Sequence, residues 1–161
     1  MESQILETRY ASWPDEAACA DTARTIAGHH ALHDAFIELH GPLGAGKTTF
    51  ARHLLHGLGV GGAIKSPTYS LMEPYQAGTA AGGFDIAHFD FYRFDDPEEW
   101  EDAGFREVFA NPGLKLVEWP EKAAGLLPAC DLRVSITPRD GSDAREARFD
   151  ALSATGRELL P

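Results

Sequence analysis

At 161 residues, 43% of them hydrophobic, the chain can bury one three-layer α/β core but is short for a nucleotide domain plus an independent second unit. Residues 1–161 are therefore read as a single domain. With 14 Lys and Arg against 25 Asp and Glu, the net charge of -11 excludes tight unaided binding to a nucleic-acid backbone, which needs clustered cations. Cys19 and Cys130 are too few and too unpatterned for a disulfide framework or a zinc site. No stretch approaches the roughly eighteen apolar residues of a membrane span, and the first residues lack a signal-peptide pattern. A soluble cytoplasmic protein without membrane association is expected.

In chain order, Gln4 to Tyr10 reads as a strand. Ser12-Trp-Pro-Asp15 then opens an alanine-rich helix, with Ser12 as its cap, Asp15 reaching back and Gly28 as its stop. His29, His30 and His33 have no carboxylate or cysteine at ligand spacing and are expected to face solvent. Phe36, Ile37 and Leu39 form a short apolar strand that leads into Gly41-Pro-Leu-Gly-Ala-Gly-Lys-Thr48, a complete G-x-x-x-x-G-K-[ST] pattern. Phe50, Leu54, Leu55 and Leu58 follow at helical spacing. A phosphate-binding loop needs this strand-loop-helix context. The glycines let backbone amides of Gly44, Ala45, Gly46, Lys47 and Thr48 face the α- and β-phosphates of a nucleotide, with Thr49 continuing into the helix at the same site. Lys47 reaches the β- and γ-phosphates, and the Thr48 hydroxyl suits Mg2+.

A glycine-rich lead, Gly57 to Gly62, delivers Ser66-Pro67-Thr68 soon after this site. Ser66 and Thr68 suit a switch that closes on a γ-phosphate and its metal, and equally suit an ordinary loop. Leu71 to Tyr75 and Phe84 to Tyr92 read as an antiparallel pair around a small-residue turn over 77–83. Alternation puts His88, Asp90 and Tyr92 on one face of the second strand. Asp90 either serves the metal's water shell and the attacking water or pairs with a nearby arginine. Asp95 to Asp102 reads as a capped acidic helix start, a solvated face or a dock for a basic partner, ended at Gly104 before a short piece from Phe105 to Phe109.

Leu114 to Val117 forms an apolar strand ending in Glu118, the acid such a fold needs near its metal. Trp119, at the carboxyl edge before Pro120, is a candidate nucleotide contact that also suits covering the core. Leu132 to Thr137 and Ala147 to Leu152 are strand-like and flank an Asp140-Gly141 turn. The expected fold is a single-domain P-loop NTPase of the α/β class, with a mainly parallel central sheet flanked by helices and an added antiparallel hairpin.

Four stretches in this order, Gly41 to Phe50, Ser66-Pro-Thr-Tyr-Ser-Leu71, His88-Phe-Asp-Phe-Tyr-Arg93 and Val117-Glu-Trp-Pro-Glu121, resemble the bacterial TsaE proteins. The resemblance runs from about Ser12 to Arg148. It departs at Pro42, where the family usually has aspartate, and in the length of the turn around Gly78 to Gly83. The resemblance implies a cytoplasmic protein that binds ATP and Mg2+, works with TsaD and TsaB, and hydrolyses ATP to support N6-threonylcarbamoyladenosine formation in tRNA. TsaD performs the transfer itself, and tRNA is met only through the complex. The resemblance also implies that Lys47, Thr48, Asp90 and Glu118 are nucleotide, metal and hydrolysis residues. A small-molecule P-loop kinase, or a nucleotide-gated binding module in which hydrolysis only resets the state, are the alternatives. No arginine-rich lid or Asn-Lys-x-Asp step favours a kinase or a GTPase.

Overall fold

The computed structural model describes residues 4–78 and 83–161. Most of the turn expected over 77–83 lies outside them. Strands β1 (Glu7–Trp13), β2 (Phe36–His40), β3 (Met72–Ala77), β4 (Phe84–Asp90), β5 (Leu114–Glu118), β6 (Leu132–Pro138) and β7 (Arg145–Ala151) form one sheet in the order β1-β7-β6-β2-β5-β4-β3. Helices α1 (Glu16–Ala27) and α2 (Lys47–Gly57) precede β3, α3 (Pro97–Asp102) and α4 (Phe105–Ala110) link β4 to β5, and α5 (Ala154–Glu158) ends the chain.

The sheet is less parallel than the sequence suggests. β6, β2, β5 and β4 run parallel at the centre, with β7 antiparallel to β6 on one side, β3 antiparallel to β4 on the other, and β1 antiparallel to β7, so that β1 runs in the central direction again. The expected β3–β4 and β6–β7 pairs both occur, but they extend the central sheet at opposite sides instead of forming one appended hairpin. β1 then pairs along β7 from Glu7↔Ala151 to Trp13↔Arg145. That pairing joins the two ends of the chain, so no local periodicity announces it.

It also corrects the first helix boundary. Ser12 lies inside β1, opposite Glu146, and its hydroxyl donates to that carboxylate at 2.8 Å. The cap of α1 is Asp15, which accepts from the Ala18 amide at 2.9 Å. Cross-strand pairing has taken the earlier cap signal into the strand.

Strand alternation sends side chains to two cores. Ile37, Leu39, Leu114, Leu116 and Val134 meet Ile26 of α1 and Phe50, Leu54 and Leu55 of α2 on one face. Phe36, Phe89 and Val117 meet Trp100 of α3 and Phe105 of α4 on the other. Gly104, at φ 71, breaks the α3–α4 segment as expected, because it adopts the left-handed conformation that glycine tolerates. His33 departs from the solvent-facing expectation: it is half-buried and stacks on Phe84 at 4.1 Å.

Candidate functional site

The loop from Gly41 to Gly46 carries the chain from β2 into α2 at the carboxyl edge of the parallel strands. Gly41 has φ 147, and a Cβ there would stand 2.5 Å from the Ile136 carbonyl oxygen of β6. The first glycine therefore lets the loop cross its neighbouring strand. Gly46, at φ 108, precedes α2 without a side-chain cap, so the first amides of the helix are left to the adjoining cavity. That cavity, of about 310 Å3, is bordered by Gly44, Ala45, Gly46, Lys47, Thr48 and Thr49, and also by Ser66, Thr68, Asp90, Glu118 and Trp119. Every side chain singled out from the sequence as a site residue is brought to this one place.

The parallel register explains the convergence. Asp90 and Glu118 are Cα partners at the ends of β4 and β5, and Glu118 also ends beside Leu39 of β2. Glu118 is 2% exposed. Its Oε1 accepts from the Thr48 hydroxyl at 2.8 Å, while its Oε2 lies 2.7 Å from His88 Nε2. Asp90 accepts the Tyr92 amide at 2.9 Å on Oδ1 and the Ser66 hydroxyl on Oδ2. Its company is therefore the Ser66 loop, not an arginine. Thr68 lines the same cavity two residues further on.

Lys47 is buried, donates to the Gly41 carbonyl and lies 3.5 Å from the centre of the Trp119 ring. Burial lowers its pKa from the ordinary lysine value, and the Glu118, Glu121 and Asp90 carboxylates act in the opposite direction. Trp119 adopts the left-handed conformation at φ 55 and packs against Tyr92 at 4.9 Å. That strained turn places the indole over Lys47 as well as over the second core.

One important residue escaped the sequence reading. Arg145, at the start of β7, donates from Nε to the Ala45 carbonyl at 2.9 Å, and its Nη2 lies 3.5 Å from the Gly44 carbonyl. It closes a second cavity of about 290 Å3 on the other side of Gly46, with Trp13, Cys19, Thr49 and Asp143 among its walls. Burial pushes the Cys19 thiol up to about 12, so it packs there as a neutral group. A lone arginine after a turn carries no local signal. Only the β6–β7 pairing brings it to the loop.

Residues 13–147, which include both cavities, match the family model described as "Threonylcarbamoyl adenosine biosynthesis protein TsaE". A protein from Haemophilus influenzae named tRNA threonylcarbamoyladenosine biosynthesis protein TsaE is 42% identical over 131 residues, covering 81% of this chain and 79% of its own. One of the same name from Bacillus subtilis is 39% identical over 116 residues, covering 72% and 69%. The crystal structure of Bacillus subtilis YdiB superposes with a TM-score of 0.75 at 27% identity, over 98% of this chain and 94% of that one. Among the described residues no helix is long and apolar enough to cross a membrane. With the family match spanning the site from Trp13 to Arg145, the chain belongs to the TsaE family, which acts in tRNA threonylcarbamoyladenosine biosynthesis.

Proposed function

We propose that this protein is a P-loop ATPase that binds and hydrolyses Mg·ATP in support of threonylcarbamoyladenosine formation on tRNA, in a cytoplasmic complex with TsaD and TsaB. The observation that carries the reading is the Thr48–Glu118 hydrogen bond at 2.8 Å beside the buried Lys47. A loop threonine and a strand-end acid held together next to a lysine are the arrangement that positions a metal-bound triphosphate.

The donor set fits Mg2+. Thr48 and Glu118 offer hard oxygen ligands, and among the described residues no group of three or more His, Cys, Asp or Glu could hold a metal by itself. Phosphate oxygens and water complete such a shell, as Mg2+ prefers. When bound, the ion would neutralise charge on the β- and γ-phosphates. The amides of Gly44 to Thr49 and the Lys47 ammonium would hold the triphosphate, after Lys47 leaves the Gly41 carbonyl. The γ-phosphate end would lie near Asp90, and the nucleoside end in the cavity bounded by Trp13, Cys19 and Arg145. Trp119 then acts as a cover for Lys47 and the phosphates.

Asp90 is suited to orient the attacking water because an ionised carboxylate only accepts hydrogen bonds. One of its oxygens is engaged by Ser66, which supports a switch in which Ser66 and Thr68 trade that bond for the γ-phosphate and its metal. Arg145 is already engaged by the Ala45 and Gly44 carbonyls, so slow hydrolysis by the isolated protein is expected. Leu43 and Tyr92, which border the cavity, and Tyr69, next to Thr68, are exposed, as are the acids of α3, and this supports a partner-facing surface there. At a net charge of -11, contact with tRNA would run through the partners.

The decisive experiment measures phosphate release from Mg·ATP by the pure protein, then with purified TsaB and TsaD. A low basal rate that rises with the partners is expected. A rate indifferent to them, with labelled γ-phosphate appearing on a metabolite, would replace this reading with a kinase. Arg145→Ala is expected to weaken ATP affinity about tenfold in calorimetry, because two loop carbonyls lose a charged donor. Unchanged affinity would show that the loop needs no such brace.

A further inference from the structure

We propose that His88 is a positioning residue that sets the orientation of the Glu118 carboxylate for its metal. The proposal rests on Thr48 and Glu118 as the magnesium site. His88 is 0% exposed and lies on the face of β4 that packs toward α2. Its Cα pairs with Leu116, two residues before Glu118, and Ile86 and Leu114 continue the same face below it. Across the sheet its Cα pairs with Glu73 of β3, which is exposed and makes no hydrogen bond to the ring. Among the described residues, the ring's one hydrogen-bonding contact is at Nε2, which meets Glu118 Oε2 at 2.7 Å. Since an ionised carboxylate only accepts, Nε2 carries the proton of this bond.

The other ring nitrogen makes the arrangement informative. Among the described residues, His88 Nδ1 is buried without a hydrogen-bond partner. An orphaned buried polar atom costs free energy, and an apolar side chain would fill this position in the strand without one. The return is on Glu118. With Oε2 held by His88 and Oε1 by Thr48, both carboxylate oxygens are engaged, which favours this orientation of the side chain and keeps the oxygen meant for the metal beside the other protein ligand. Outer partners that orient metal ligands in this way contribute to metal affinity without touching the ion. In the sequence, His88 is read as sharing a strand face with Asp90 and as the first residue of the stretch His88 to Arg93, with no role of its own. The structure assigns it to the neighbouring strand's acid.

The test uses the full chain and side chains of similar length. His88→Gln retains an amide donor near the position of Nε2, whereas His88→Met has similar length and no donor. Mn2+ binding to the ATP complex, read from the Mn2+ electron paramagnetic resonance signal, is compared with ATP binding in EDTA. His88→Met is expected to weaken Mn2+ about tenfold, with His88→Gln close to the parent and ATP affinity in EDTA equal in all three. Equal Mn2+ affinity in the Gln and Met variants would overturn the proposal, as would parallel losses of Mn2+ and metal-free ATP binding. If thermal melting shows that His88→Met does not fold, His88→Asn supplies the contrast, since its donor stops short of Oε2. A parent ATP complex that binds no Mn2+ would remove the magnesium reading itself. Parent binding with no Gln–Met difference, or no Gln–Asn difference where Asn stands in, would remove only the role of His88.

Discussion

Lys47→Ala is expected to lower ATP hydrolysis at least about a hundredfold, the usual consequence of deleting a preorganised charge from a phosphoryl-transfer site. The lysine lies at the start of α2, held between the Gly41 carbonyl and the Trp119 ring, with Glu118, Glu121 and Asp90 near enough to favour its charge. Removing it leaves those carboxylates facing an incoming triphosphate without their internal cation. ATP affinity falls as well, because the ground state and the transition state both use the charge. Phosphate release and calorimetry on the same preparation provide the check. Substantial activity in a clean Lys47→Ala sample would sink the ATPase assignment. The sign of the pH dependence follows from the same burial. Only the protonated amine attracts phosphate, so affinity falls as pH rises through the Lys47 pKa, which burial places below that of an exposed lysine.

Asp90→Asn should separate chemistry from binding. Asparagine keeps the size of the side chain and can still accept from Ser66 or the Tyr92 amide, so the cavity keeps its shape. It loses the negative charge that the proposed mechanism uses to orient or deprotonate water. Hydrolysis is expected to fall about 100- to 10,000-fold, with ATP affinity changed by less than about threefold. Equal losses in rate and affinity would instead make Asp90 a structural anchor for the Ser66 loop. On the proposed ATPase reading, the two variants together separate phosphate binding, assigned to Lys47, from preparation of the attack, assigned to Asp90.

Much of the local chemistry was legible in the residue order. Gly41 to Thr48 reads as a phosphate loop because glycine spacing, a lysine and a hydroxyl at the mouth of a helix are adjacent in the chain, and the structure places it between β2 and α2. β5 was readable from Leu114 to Glu118, since a short apolar run ending in an acid has few other uses beside such a loop. The α3–α4 break at Gly104 was also readable, because positive φ is a local property of glycine. The first cap was misassigned for the opposite reason. In the residue order Ser12 reads as the cap with Asp15 reaching back, and only pairing with Glu146 decides that Ser12 belongs to a strand and leaves the cap to Asp15.

What the sequence alone determined is therefore the set of reactive groups and the short elements that carry them, because caps, turns and strand alternation act over a few residues. The tertiary structure decided which groups meet. Thr48 and Glu118 are 70 residues apart, His88 and Glu118 are 30 apart, and Arg145 and Ala45 are 100 apart. No local propensity encodes those separations. They follow from the order in which the strands pair, and that order is set by burying both faces of one sheet between α1 with α2 and α3 with α4.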